Sequence, residues 1–176
     1  AANGAHPIGI QQALLVPPET KQEEIVAIVK DINDAAQELG IDVLGGHTEV
    51  TDIVKQPLVS CTAIGKTTKD KFVTSSDAAV GDDIVITKWT GLEGTSILAS
   101  DFADRLIQCG VNEADLQAAQ NLAQDISVIP EGMIGAELGV NAMHDVTEGG
   151  LCGALYEVAD AAEVGFELYA EKMPLH

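Results

Sequence analysis

The sequence predicts an α/β (α+β) chain, and three observations carry that reading. Short apolar runs rich in Val, Ile and Leu alternate with longer stretches whose apolar residues recur at helical spacing. Gly or Pro punctuates most of the joins between them. At 46% apolar and 21% charged residues, the composition is that of a globular chain rather than a disordered one. The 176 residues suffice for one core or two small ones. With aromatics at only 3%, those cores must rest on Ala, Val, Ile and Leu. The alternation leaves the parallel or antiparallel sense of the strands open.

In chain order, residues 13–16 read as a strand that runs into a turn at Pro17-Pro18. The stretch ETKQEEIVAIVKDINDAAQELG is the clearest helix, with Ile25, Ile28, Val29, Ile32, Ala36 and Leu39 on one face. Thr20 with Glu23 makes a capping box for it, and Gly40 a C-terminal stop. Residues 41–44 and 58–64 read as strands. The polar segment KTTKDKFVTSSDAAVGDD then places a domain boundary near Ser75, giving domains 1–74 and 75–176. Beyond it, residues 83–87 read as a strand and 96–107 as a helix. Asn112 caps a helix starting at Glu113, and Pro130 opens another that runs to Leu138. Residues 140–146 read as a strand, 151–162 as a helix with Leu151, Leu155 and Val158 inward, and 166–169 as a closing strand.

Charge narrows the function. The net charge is −19, from 28 acids against 9 bases, and Arg105 is the only arginine. Such a chain lacks the basic stripe of a nucleic-acid binder and is repelled by an anionic membrane, so neither partner is expected. Any phosphate it handles must be met by glycine-rich backbone, helix N-termini or a carboxylate-held metal ion. Cys61, Cys109 and Cys152 are odd in number, widely spaced and without a CxxC, so they read as small buried core residues in a reducing compartment. The absence of a long apolar run or a charged-then-apolar leader predicts a soluble, cytoplasmic protein. A start at Ala1 and an end on MPLH predict a piece of something longer.

Three stretches could carry chemistry. GGHTEV, residues 45–50, follows an apolar run: Gly45 and Gly46 let the backbone turn sharply and approach something closely, and His47, Thr48 and Glu49 follow at once. NAMHDVTEGGLCGALYE repeats that grammar, with His144, Asp145, Thr147 and Glu148 at a strand-to-helix junction before Gly149-Gly150. Strand alternation would put His144 and Val146 on one face and Asp145 on the other. Thr147 and Glu148 fall near a helix N-terminus, where they either meet an anion or simply cap the helix and complement its dipole. TKWTGLEGTS sets Lys88, one of few cations, at a strand end before Thr95-Ser96; it has no Gly-Lys-Ser/Thr triplet and is not a P-loop.

Together, VGDDIVITKWTGLEGTSILA, MHDVTEGGLCGAL and GGHTEV resemble the aminoimidazole ribonucleotide (AIR) synthetase superfamily, whose fold is PurM-like. The opening AANGAHPIGIQQALLVP resembles the family segment that follows an Asn-Asp pair, so the likeness spans essentially the whole chain in order. It implies an N-terminal mixed sheet packed with helices, followed by the start of a second α/β domain. It also implies a homodimer, joined through strands of the first domain, that binds ATP with Mg2+. The ATP activates an amide, thioamide, phosphate or selenide group of a small-molecule or carrier-protein substrate. By position, the resemblance puts Asn3, Gly45, Gly46, His47, Thr48, Thr147 and Gly149 on the nucleotide, and Glu49 and Asp145 on the metal. Asp145, Glu148 and Lys88 become the catalytic candidates. Asp145 and Glu49 are expected within reach of one hydrated magnesium.

Two departures shape the expectation. His47 stands where family members carry a carboxylate, and imidazole is a poor magnesium ligand. The family's Asn-Asp pair and most of its second domain are absent from this stretch, so the piece alone is expected to be inactive. In wording it is nearest to HypE-like hydrogenase-maturation or AIR synthase-related members. A non-catalytic nucleotide-binding or assembly protein, and a selenophosphate or AIR synthetase, are the rival readings.

Overall fold

A computed structural model describes residues 2–175, in two compact units: residues 5–68, and residues 2–4 together with 69–175.

The first unit is a three-stranded mixed sheet with one helix. Its elements are β1 (His6–Val16), α1 (Gln22–Glu38), β2 (Asp42–Val50) and β3 (Leu58–Lys66). The sheet order is β2-β1-β3, with β1 parallel to β2 and antiparallel to β3. The parallel pair needs a crossover, which α1 supplies. β1 reaches well upstream of the predicted residues 13–16, because its backbone is paired along its length from His6 opposite Lys66 to Leu15 opposite Leu58.

α1 starts one residue later than its capping signal predicts. Lys21 is the N-cap, and its N–H donates to the Glu24 carboxylate at 2.8 Å, in place of the Thr20–Glu23 pair. Gly40, at φ +65°, ends the helix as expected, and the Ile41 N–H returns to the Ala36 carbonyl at 2.9 Å. The core of this unit is Leu14 and Val16 from one face of β1, with Ala36 from α1. Ile25, Ile28 and Ile32 are half-buried, whereas Val29 and Leu39 are exposed.

The second unit is mostly helical. It comprises α2 (Leu92–Asp101), α3 (Ala103–Gln108), α4 (Glu113–Asn121), a 3-10 turn at Leu122–Asp125, α5 (Ile129–Leu138) and α6 (Gly150–Ala162). The helix expected over 96–107 is two helices broken at Phe102, whose φ of −121° leaves the helical range. Asn112 caps α4 as predicted, accepting from the Asp115 N–H at 2.8 Å. α2 packs against α4 and the following 3-10 turn, tied by Gln120 Nε2 donating to the Ala99 carbonyl at 3.0 Å. Val73, Ala99, Leu122, Ala136, Leu151 and Ala154 form the core.

The strands expected over 83–87, 140–146 and 166–169 do not form among the described residues. A strand exists only by pairing, and these apolar stretches find no partner beyond one bridge between Thr74 and Ala142. The cysteines are also corrected. Cys61 on β3, Cys152 on α6 and Cys109 at the C-terminal cap of α3 are all exposed. Among the described residues, no helix is long and apolar enough to cross a membrane.

Candidate functional site

The Gly-Gly of GGHTEV is not a turn. Residues 45–50 continue β2, which pairs with β1 from Gly9 opposite Asp42 to Val16 opposite Val50. The register slips between Ile10–Val43 and Gln11–Gly45, so Leu44 is the extra residue of a bulge. Gly45 takes φ +149° there. Gly46 serves a different need: a Cβ on it would lie 2.1 Å from the Gln12 carbonyl oxygen and 2.8 Å from Gln12 Cγ. Close backbone approach was the sound half of the sequence expectation, and the sharp turn was not.

Because the strand continues, its side chains alternate. His47 and Glu49 share one face, with Nε2 and Oε2 3.4 Å apart and side chains 71% and 59% exposed. Thr48 stands opposite Leu14 in the register and therefore lies on the other face. The His-Thr-Glu cluster thus divides into an exposed His–Glu pair and a threonine behind it.

In the second unit, HDVTEGG is an irregular segment leading into α6. Asp145, Thr147 and Glu148 are exposed. Gly149, at φ +78°, is the N-cap, and a Cβ there would press to 3.2 Å from Gly153 Cα. Thr147 makes no side-chain cap, and the first turn of α6 holds no acid, so the capping alternative for Thr147 fails. The expected alternation of His144 and Val146 against Asp145 fails with the strand that would have set it. Instead His144 folds back: Nε2 lies 2.8 Å from Glu157 Oε2 on α6, and Nδ1 lies 2.6 Å from the Asp145 carbonyl oxygen. His144 also lines a groove of about 390 Å³ walled by Leu151, Ala154, Leu155 and Val158 of α6.

Lys88 is held by its own unit. Its Nζ donates to the Ser127 carbonyl and lies 2.9 Å from Glu131 Oε1, each side chain about a quarter exposed. Lys88 sits at φ +58°, a costly region for a side-chain-bearing residue, so those contacts offset a local strain. Burial pushes the Glu131 carboxyl up, but the hydrogen bond from Lys88, a backbone N–H and the lysine charge outweigh it and hold the group below its ordinary value. Asn3 is tied down too: its Nδ2 donates to the Val73 carbonyl at 3.0 Å, and its own carbonyl accepts from the Val73 N–H at 3.1 Å.

The sequence assigned no role to Glu131 or Glu157. Glu157 lies 13 residues beyond His144, and no local spacing links them. No three His, Cys, Asp or Glu side chains converge into a ready metal cluster among the described residues. Glu49 and Asp145 belong to different units.

An α/β chain of two units, each bearing one glycine-rich acidic segment, defines a class, and comparison with known proteins supplies its family. Residues 1–67 match the N-terminal domain, and residues 79–176 the C-terminal domain, of AIR synthase related protein. The chain belongs to this family. A Methanocaldococcus jannaschii protein, provisionally described as a hydrogenase expression/formation protein, is 29% identical over 99% of the chain and 50% of its own length. Escherichia coli HypE, a hydrogenase maturation protein, superposes with TM-score 0.81 at 21% identity, over 100% of this chain and 52% of that one. AaThiL, solved with AMPPCP and TMP, gives TM-score 0.81 at 21% identity, over 99% and 53%. The chain therefore spans about half the length of these relatives, and the mixed α/β, PurM-like fold expected from sequence is the one it has.

Proposed function

We propose that the protein carrying this chain is an ATP-dependent enzyme of HypE-like type. It would activate an amide or thioamide group by phosphoryl transfer in hydrogenase maturation, with ATP and Mg2+ as cofactors. The observation that carries the reading is the match to both family domains in order, alongside a hydrogenase-formation relative over nearly the whole chain.

The local chemistry is compatible with a nucleotide. The N-terminus of α6 has no side-chain cap and no acid in its first turn, so its N–H groups and dipole suit a phosphate. Asp145 and Glu148 beside it are exposed hard-oxygen donors, and magnesium is typically held by one or two carboxylates together with substrate phosphates. Bound magnesium would neutralise phosphate charge, which a chain with nine bases does poorly by itself.

On this reading Asp145 and Glu49 are metal-donor candidates, each in its own unit. Asn3, Gly45, Gly46, His47, Thr48, Thr147 and Gly149 are the candidate nucleotide contacts, and Glu148 and Lys88 the candidates for the reacting end. Lys88 would have to share its ammonium between a phosphate and Glu131. The substrate would be a small molecule or a carrier protein, the assembly a homodimer and the location cytoplasmic.

The His47–Glu49 pair favours one alternative, a nucleotide-binding protein without catalysis, because the imidazole occupies the place of a metal-binding carboxylate. Calorimetric titration of the full-length protein with ATP, with and without magnesium, separates the two. The enzyme reading expects magnesium to tighten binding markedly and Asp145→Asn to abolish most of that gain. Equal binding with and without magnesium would overturn it.

A further inference from the structure

We infer that Glu157, to which the sequence assigns no role, is a positioning residue for Asp145, acting through the His144 ring. The inference rests on the reading above, in which Asp145 meets the magnesium–nucleotide.

The stretch 144–149 has little to hold it. It follows the Thr74–Ala142 bridge and ends at two glycines, Gly149 and Gly150, both at positive φ. Glycine there imposes no conformation of its own. Upstream the backbone is anchored, since Ser75 Oγ donates to the Met143 carbonyl at 3.1 Å. Downstream it is closed by a local turn, Gly150 N–H to the Thr147 carbonyl at 3.1 Å, and by the first turn of α6, Gly153 N–H to the Gly149 carbonyl at 3.1 Å. Among the described residues, the His144 ring makes the only side-chain hydrogen bonds of this stretch, 2.6 Å to the Asp145 carbonyl and 2.8 Å to Glu157.

Glu157 is a fitting anchor. It stands seven residues into α6, about 10 Å along a regular helix whose Leu151 and Ala154 are buried in the core. The His144 side chain is 21% exposed and that of Glu157 59%, so the pair contributes little to stability as an ion pair. What it does is geometric. With Glu157 holding one ring nitrogen, the other sits against the Asp145 carbonyl and sets the backbone from which that carboxylate projects. Groups that orient a metal-bound side chain typically change metal affinity by 10–100-fold when removed.

The test uses the full-length protein and reads ATP affinity with and without magnesium, together with the unfolding midpoint. Glu157→Ala is expected to weaken the magnesium-dependent part of ATP binding about tenfold with the midpoint little changed. Glu157→Gln should recover most of that loss, because its amide can still bond Nε2 while Nδ1–H keeps the Asp145 carbonyl. His144→Asn, read the same way, should resemble Glu157→Ala. Asp145→Asn tests the underlying reading in parallel. If Asp145→Asn removes the magnesium effect while Glu157→Ala and His144→Asn bind like wild type, this inference is overturned and the proposed function stands. If Glu157→Gln is as weak as Glu157→Ala, charge rather than ring orientation matters and the inference also fails. If Asp145→Asn changes nothing, the reading itself falls.

Discussion

Replacing Gly46 by Ala tests the close approach of β1 and β2. The new Cβ would sit 2.1 Å from the Gln12 carbonyl oxygen, 2.8 Å from Gln12 Cγ and 3.0 Å from Gln12 C. An ordinary carbon–oxygen contact is over a full ångström longer than the first of these, and the obstacle is backbone rather than a side-chain tip that could swing away. The strands must therefore separate locally. Gly46 pairs with Gln12 between Gly45–Gln11 and His47–Ala13, so separation there weakens two or three ladder hydrogen bonds. At about 1 kcal/mol each, the expected loss is about 2–3 kcal/mol. For a chain of this size that corresponds to a fall of roughly 4–12 °C in unfolding midpoint.

Gly94→Ala in α2 is the control. Its Cβ would meet nothing within 4 Å, and removing a helical glycine should stabilise by about 0.5–1 kcal/mol. Urea unfolding followed by circular dichroism reads both variants. Should Gly46→Ala fall within about 0.5 kcal/mol of wild type, the packing of β2 onto β1 described above is wrong.

Lys88→Met keeps the positive-φ backbone and removes the bond to Glu131, so at neutral pH it should cost about 1 kcal/mol in urea melts. The Glu131 carboxyl is held below its ordinary value in the fold, so this stabilisation is full above the ordinary glutamate range. It is lost as pH falls through the lowered folded-state value; a gap between wild type and Lys88→Met that does not narrow on acidification would contradict the pairing. His47→Asp alters a side chain 71% exposed and should move stability by less than about 0.5 kcal/mol. On the proposed function it should also tighten magnesium–ATP binding, and an unchanged magnesium dependence would show that His47 does not occupy a metal position. Sedimentation at micromolar concentration should show a dimer that covers Val43, Leu44, Leu58, Val59 and Ile64, all exposed on the sheet; a monomer alone would refute it.

Elements whose signals are local were legible in the sequence. α1 was readable from its apolar spacing and Gly40, α4 from Asn112, α5 from Pro130, and α6 from the periodicity of Leu151 onward. Motif order alone also pointed to the family, because it depends on which residues occur and not on how the chain packs. What the sequence left open depends on partners distant along the chain. Residues 42–46 and 140–146 carry similar signals, an apolar stretch beside glycine, yet 42–46 lie within a strand and 140–146 do not. The difference is that β1 supplies a paired edge for one, while only Thr74 bridges the other. The same holds at the candidate site. The sequence named His47, Glu49, Asp145 and Lys88 by type and neighbourhood. Only the tertiary structure put Thr48 behind the sheet, gave Lys88 to Glu131 and joined His144 to Glu157, since side-chain direction follows from strand register and helix docking.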